Sequence, residues 1–245
     1  MQRLTNTKDN LNERFYRITE DKNLMRHQRI AHVIAICILL FPISMFSASG
    51  AQVVLVTGFE PFGNYTVNPS QLIAQALNGS IINNTEIVGV VLPVDFNESV
   101  TMTIDAIEHY KPTLVISLGL NARVQGLEVE KICVNLKRYP KDDGTWSFPQ
   151  RIDVSGPFLR FSTLHTMDIV RKIREANISV QQSYFAGTYV CNALFYQLLG
   201  YVSGQNNSSK IGFIHVPLLD PQTKEGMALH TMIDAVKITI QTCLE

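Results

Sequence analysis

The sequence has few cysteines and none of the short spacings by which proteins hold zinc. Four cysteines occur in 245 residues, and the chain contains neither a CxxC pair nor an HExxH motif. Structural and catalytic zinc sites draw several Cys or His ligands from such spacings. We therefore expect no metal site, and no motif indicates any other cofactor.

An excess of charge of either sign is also missing. Lys plus Arg and Asp plus Glu number 21 each, so the chain lacks the basic balance typical of nucleic-acid-binding proteins. Hydrophobic residues make up 46% of the chain, which is ordinary for a globular protein. The composition thus predicts one sizeable globular domain that does not bind nucleic acid.

The first 50 residues differ from the rest. Residues 30–46 carry no formal charge, and small residues follow them. A basic lead, an apolar stretch and a small-residue end are typical of a secretory signal, and a start at Met25 rather than Met1 would make the lead short. An uncleaved membrane anchor and a cytoplasmic protein with an apolar extension stay open. We expect a leader over 1–50 and one globular domain over 51–245, located outside the cell or in the secretory pathway.

Acceptor sequences for N-glycosylation are frequent after residue 50. Seven of the 12 asparagines after residue 50 begin an N-x-Ser/Thr sequon, whereas the frequency of Ser and Thr predicts about 1.6. None of the four earlier asparagines does so. The excess predicts a glycoprotein, with acceptors at Asn64, Asn78, Asn83, Asn97, Asn177, Asn206 and Asn207.

From residue 52 onward, apolar runs of strand length alternate with segments whose apolar residues recur at helical spacing. This order favours an α/β fold, a single-domain three-layer α/β/α sandwich around a central, mostly parallel, mixed sheet. Asn68 and Pro69 have the residue types of a helix N-cap and first helical position. Residues 137–160 show no period and predict a long irregular connection. The expected strands are 52–57, 86–92, 113–117, 127–134 and 211–216, and the expected helices are 96–110, 162–176, 191–202 and 229–240.

Cys191 stands where a helix is expected to begin. A thiol at a helix N-terminus lies near the positive end of the helix dipole, which favours the thiolate. That position suits a nucleophile, although a lone cysteine is equally a small buried hydrophobic residue.

Two further residues have the chemistry that a cysteine nucleophile needs. His215 ends an apolar strand, at the edge of the sheet where ligands gather, although a core histidine fits the pattern too. Glu130 shares a strand face with apolar residues, so its charge needs a partner there. His215 is a candidate partner, in a triad or in a structural salt bridge. Cys133, in the same predicted strand, is expected on the opposite face.

The motifs together resemble pyroglutamyl-peptidase I in order and approximate spacing, over about residues 52–245. They are Thr-Gly-Phe-Glu-Pro-Phe-Gly at 57–63, Val-Asn-Pro-Ser at 67–70, Leu-Pro-Val at 92–94, Gly-Leu at 119–120 with Glu130, Val-Asn at 134–135, Ala-Gly-Thr-Tyr-Val-Cys-Asn at 186–192 and Gly-Phe-Ile-His-Val-Pro at 212–217.

The resemblance implies a cysteine exopeptidase that uses no metal. It implies that Cys191 is the nucleophile, His215 the general base and acid, and Glu130 the third member of the triad. It places four substrate-binding residues around the ligand: Phe59, Phe62 and Asn68 at the pyroglutamate ring and Arg138 near the oxyanion. The implied partners are peptides with an N-terminal pyroglutamate.

Several alternatives stay open at this point. A relative that binds pyroglutamyl peptides without cleaving them, or a different hydrolase on the same scaffold, would share much of the pattern. Self-association into a homo-oligomer is open as well. Cys133 and Cys243 would pair if the compartment is oxidising and their Cα atoms are close, and are otherwise two unpaired buried thiols.

Overall fold

The computed structural model describes residues 52–205, 207–220 and 226–245. These residues belong to one compact unit. The predicted N-terminal leader and Asn206 lie outside the described residues. Among the residues that are described, no helix combines the length and apolar character needed to cross a bilayer.

The described chain contains nine strands and five helices. The strands are β1 (Val53–Phe59), β2 (Ile81–Ile82), β3 (Thr85–Leu92), β4 (Leu114–Leu120), β5 (Leu127–Glu130), β6 (Ile132–Val134), β7 (Leu159–Phe161), β8 (Val180–Ser183) and β9 (Lys210–Val216). The helices are α1 (Pro69–Leu77), α2 (Glu98–Tyr110), α3 (Thr166–Glu175), α4 (Val190–Gly204) and α5 (Leu229–Leu244).

Seven strands form the central sheet in the order β2-β3-β1-β4-β9-β5-β8. Every neighbouring pair is parallel except β2 with β3 and β5 with β9. All seven residues of β4 are buried, as expected for a parallel strand covered on both faces. The prediction of a mostly parallel, mixed sheet is confirmed.

Helices cover both faces of this sheet. Buried side chains of α1, α3 and α5 form one core cluster with one face, and those of α2 and α4 form a second cluster with the other. Leu55 belongs to the second cluster, whereas its neighbours Val54 and Val56 belong to the first, as the alternation of a strand requires. The molecule is therefore the predicted three-layer α/β/α sandwich.

The prediction of one continuous strand over 127–134 is wrong. The chain leaves the central sheet after Glu130, and residues 132–134 pair with β7 in a separate two-stranded ribbon. Period-2 reasoning fails across this break, and Cys133 lies in the same core cluster as α4 rather than on the opposite side. Alternation fixes a face only as long as one strand stays in one sheet.

The irregular segment is confirmed and has a definite anchor. Asn135, fully buried, accepts hydrogen bonds from the backbone N–H groups of Ile152 and Asp153 and donates to the carbonyl oxygens of Asp153 and Gly156. One amide side chain thereby fixes the far half of the segment where secondary structure does not.

Candidate active site

Cys191 is the second residue of α4, close to its N-terminus. The N-cap residue Tyr189 makes no side-chain capping hydrogen bond. The first backbone N–H groups of a helix have no partner within the helix, so the positive end of the helix dipole lies near Cys191. Cys191 is half-buried and lines a cavity of about 650 Å³. The sequence prediction of a thiol at a helix start is confirmed.

Gly119 on β4 leaves the room that this sulfur occupies. A Cβ atom added to Gly119 would lie 2.8 Å from Cys191 Sγ and 2.9 Å from Cζ of Phe213. Carbon and sulfur atoms in ordinary contact are farther apart than that. The absence of a side chain at this position of the central strand therefore allows the Cys191 sulfur to rest against the sheet.

His215 stands beside Cys191 and holds Glu130 on its other side. Its Nδ1 lies 2.7 Å from Oε1 of Glu130, and it lines the same cavity as Cys191, close enough for the cysteine to affect its pKa. Glu130 is fully buried, and its Oε2 makes no hydrogen bond within the described residues. The three predicted catalytic residues thus come together from β5, β9 and α4.

The charge state of His215 follows from these two neighbours. Burial by itself lowers the pKa of His215, but the hydrogen bonds to Cys191 and Glu130, together with their negative charges, raise this pKa to about 10. The imidazole therefore carries its proton at neutral pH. A protonated imidazole beside the sulfur is the resting arrangement of an activated cysteine nucleophile.

A second carboxylate, that of Glu128, lies near the pair. Glu128, Glu130 and His215 each place one polar atom within 4.8 Å of the others. These residue types bind metals, but here the Glu128 oxygens accept hydrogen bonds from the side-chain amides of Asn121 at 3.0 Å and Gln181 at 2.8 Å. Both carboxylates thus have roles that need no cation.

The cavity in front of Cys191 has largely apolar walls. Phe59, at the end of β1, is buried, and Phe62 is half-buried beside it. Phe59, Phe62 and Asn68 all line the cavity, as do Val94 and Tyr189. The structure therefore brings three of the four predicted substrate-binding residues to the same cavity as Cys191 and His215.

Asn68 is the predicted N-cap of α1 and is fully buried. Its Oδ1 accepts from the backbone N–H of Ser70 at 3.1 Å, and its Nδ2 donates to the carbonyl of Glu60 at 3.0 Å. The side chain thereby ties the loop after β1 to the start of α1, which fixes the position of the aromatic wall.

Arg138, the fourth predicted substrate-binding residue, does not line the cavity. Its backbone N–H donates to the carbonyl of Thr188, and its Nε donates to the carbonyl of Ser147 at 2.9 Å. These bonds join the irregular segment to the loop before α4. A direct role of Arg138 at the oxyanion stays a prediction.

The other two described cysteines are free thiols in different cores. Cys133 is buried with α4, whereas Cys243 is buried with α5 on the opposite side of the sheet. They do not form a disulfide, so the interpretation of two unpaired thiols is confirmed. Burial raises the pKa of Cys133 to about 12 and that of Cys243 to about 11. Neither forms a thiolate at neutral pH.

Sequence reasoning missed two kinds of site residue. Asn192 is fully buried, accepts from Val134 N and donates to the carbonyls of Val134 and Leu136, so it ties the start of α4 to the segment after β6. The aromatic residues Trp146 and Phe185 line the cavity although both are exposed. The position of Asn192 next to Cys191 was a signal for the first kind, but no local pattern marks the second.

Known proteins are similar to this chain in fold and in sequence. Residues 52–245 match the family model described as pyroglutamyl peptidase. The pyrrolidone-carboxylate peptidase of Yersinia pseudotuberculosis is 35% identical over 199 residues, which are 78% of this chain and 93% of that relative. The pyrrolidone carboxyl peptidase of Thermococcus litoralis superposes with a TM-score of 0.74 at 32% identity, over 79% of this chain and 93% of that one. Pyroglutamyl peptidase I of Bacillus amyloliquefaciens gives 0.74 at 33% identity, over 79% and 95%. The chain therefore belongs to the pyroglutamyl peptidase family.

Proposed function

We propose that this protein is a cysteine exopeptidase that hydrolyses the bond between an N-terminal pyroglutamate and the next residue of a peptide. The observation that carries the proposal is the hydrogen bond between His215 and Glu130, with Cys191 beside the imidazole at the wall of the same apolar cavity. The similar proteins are named pyroglutamyl or pyrrolidone-carboxylate peptidases, and these names specify the pyroglutamyl group as what they act on.

The cavity suits the pyroglutamyl ring because the ring is a neutral lactam. A free α-ammonium group would lose its hydration against Phe59 and Phe62 without gaining a charged partner, and that loss costs several kcal/mol. A lactam needs only a few polar contacts in an otherwise apolar site. The apolar wall therefore selects a blocked N-terminus over an ordinary one.

The reaction follows from the position of each group. The Cys191 thiolate attacks the carbonyl carbon that links pyroglutamate to the next residue, not the lactam carbonyl. Backbone N–H groups at the start of α4 stabilise the oxyanion that forms. The proton on His215 passes to the leaving amine as the C–N bond breaks, which leaves a pyroglutamyl thioester on Cys191. Water, deprotonated by His215, then hydrolyses the thioester. Glu130 holds the imidazole in one orientation throughout.

A chromogenic pyroglutamyl amide tests this function directly. The purified protein is expected to release the chromophore, and pretreatment with iodoacetamide is expected to abolish the release. Binding without turnover would favour a non-catalytic relative. Hydrolysis of unblocked amides at equal rates would favour a different hydrolase on the same scaffold.

We further propose that the protein enters the secretory pathway and carries N-linked glycans. Support comes from the surface: Asn64, Asn78, Asn83, Asn97 and Asn177 are all exposed. Three of the five asparagines outside sequons are instead buried, so exposure is not general for asparagine here. The apolar, charge-free stretch at 30–46 supports export independently.

Expression of the full chain in eukaryotic cells tests this second proposal. Glycosidase treatment is expected to increase the electrophoretic mobility of the protein, and the leader is expected to be absent from the mature chain. An unshifted band in the cytosolic fraction, with residues 1–50 attached, would refute export and favour the cytoplasmic alternative.

A further inference from the structure

The order of the central strands gives the cavity two distinct sides. Gly119, on β4, lies under the nucleophilic sulfur. On one side of β4 lies β1, whose end carries Phe59 and the proposed ring-binding wall. On the other side lies β9, which carries His215. Because His215 must protonate the leaving amine, the leaving peptide lies on the β9 side, where β5 and β8 follow.

The cavity is larger than the pyroglutamyl ring requires. Its volume of about 650 Å³ falls in the range of sites that enclose whole drug-sized ligands. A single five-membered lactam fills only a fraction of that space. The remaining volume is therefore available to the residue or residues that follow the ring.

Arg123 lines this cavity on the β9 side, where the leaving peptide lies. It lies in the loop after β4, and apart from the proposed catalytic residues Cys191 and His215 it is the one charged residue in the described cavity lining. It is exposed, and within the described chain its guanidinium has no ion pair or hydrogen bond. A cation at the mouth of an apolar cavity, with no protein partner, is positioned to bind a negatively charged group of a ligand.

The loop that carries Arg123 is held in place by its neighbours. The backbone N–H of Asn121 donates to the carbonyl of Val216 at 3.0 Å, which fixes the loop against the end of β9. The Asn121 side chain donates to Glu128 and accepts from the backbone N–H of Arg123 at 3.2 Å. Arg123 is thus held in a fixed loop at the end of β4, and the neighbouring strand β9 carries His215.

Phe185 supplies an apolar surface on the same side. It follows β8, its backbone N–H donates to Ser183 Oγ, and its ring lines the cavity while remaining 59% exposed. Aromatic rings with this exposure gain free energy when a ligand covers them.

We propose that Arg123 and Phe185 form the subsite for the leaving peptide, and that this subsite selects short pyroglutamyl peptides with an apolar second residue and a nearby carboxylate. The proposal rests on the proposed peptidase function. The carboxylate is either the C-terminus of a dipeptide or the side chain of an acidic third residue. Arg123 binds either one through charge-assisted hydrogen bonds.

Three matched substrates distinguish these sources. They are pyroglutamyl-leucine with a free carboxylate, the same dipeptide as its C-terminal amide, and pyroglutamyl-leucyl-aspartyl amide, whose only acid is a side chain. With the full-length wild type, the free acid or the aspartyl peptide is expected to exceed the dipeptide amide in kcat/KM by about fivefold, the upper end for an exposed ion pair.

Variants assign the preference to Arg123. Arg123→Gln is expected to bring the acid-to-amide ratio of kcat/KM to about one, mainly through a higher KM for the acid, with a much smaller effect on kcat/KM for the amide. Arg123→Lys is expected to keep part of the preference. Lys141→Gln removes an exposed charge outside the cavity lining and is the matched control. Phe185→Ala is expected to lower kcat/KM for pyroglutamyl-leucine more than for pyroglutamyl-glycine.

The outcomes separate the subsite from the function on which it rests. Equal cleavage of acid and amide substrates by the wild type, or an unchanged ratio in Arg123→Gln, would overturn the subsite while leaving the peptidase function intact. A wild type that cleaves no pyroglutamyl substrate would overturn both.

Discussion

Adding one methyl group at Gly119 is expected to disable the nucleophile without touching it chemically. In Gly119→Ala the new Cβ would lie 2.8 Å from Cys191 Sγ and 2.9 Å from the Phe213 ring. Ordinary contacts begin at about 3.5 Å, so the overlap is about 0.7 Å with the sulfur and about 0.6 Å with the ring. Phe213 is fully buried in a packed core and cannot withdraw, so the thiol must rotate or α4 must move.

A displacement of that size has a known order of effect. Misplacing a reacting group by about 1 Å costs about 100-fold in rate, which is about 2.7 kcal/mol of transition-state stabilisation. Overpacking a core also costs about 1–3 kcal/mol of stability. We therefore expect kcat/KM on a chromogenic pyroglutamyl amide to fall about 100-fold, with the protein still folded by circular dichroism.

Gly204, at the other end of α4, offers the matched control. A Cβ there would meet no atom within 4 Å, so Gly204→Ala is expected to keep normal activity and to be no less stable. The rate of iodoacetamide labelling should also fall in Gly119→Ala only. Wild-type turnover by folded Gly119→Ala would refute the view that this glycine makes room for the sulfur.

Three further predictions concern the triad and its support. Cys191→Ser is expected to abolish turnover, whereas the same change at the two buried cysteines keeps most of it, as measured on the chromogenic amide; near-normal activity of Cys191→Ser would contradict the mechanism. The pKa of His215 is raised above its unfolded value of about 6.5. The contribution of its protonated form to the stability of the folded state is therefore complete below pH 6.5 and is lost as the pH rises through about 10. In urea unfolding, the stability advantage of the wild type over Glu130→Gln should therefore shrink across that window, and a constant difference would count against the ion pair. Asn192→Ala leaves two buried backbone groups of Val134 and the partly buried carbonyl of Leu136 without partners, so the free energy of unfolding should fall by at least about 2 kcal/mol; a loss below about 1 kcal/mol would show that water replaces the side chain.

Local pattern was sufficient for most of the fold because each element carries its own periodicity. The apolar runs around Leu114 and Ile211 are strands because parallel strands are buried on both faces. The N-cap at Asn68 was readable because capping depends on adjacent residues. The break after Glu130 was not readable, since the chain changes sheets there without a glycine or proline to mark the change.

In the candidate site too, some features could be predicted from local sequence and others could not. Cys191 and His215 were recognisable because each sits at a fixed place in its own element, a helix start and a strand end. The clearance at Gly119 and the arrangement of Arg123 and Phe185 depend on which strands are neighbours. Strand order is a long-range property, and one sequence by itself does not specify it.

Trapping the acyl-enzyme is the most direct test of the central claim, that Cys191 forms a covalent bond to the pyroglutamyl group. The protein is mixed with excess pyroglutamyl amide, quenched in acid during turnover, digested and analysed by mass spectrometry. We predict one added pyroglutamyl group on the peptide that contains Cys191, and none on the peptides that contain Cys133 or Cys243. Continued turnover with an unmodified Cys191 at every quench time, and equal turnover by Cys191→Ser, would contradict the account.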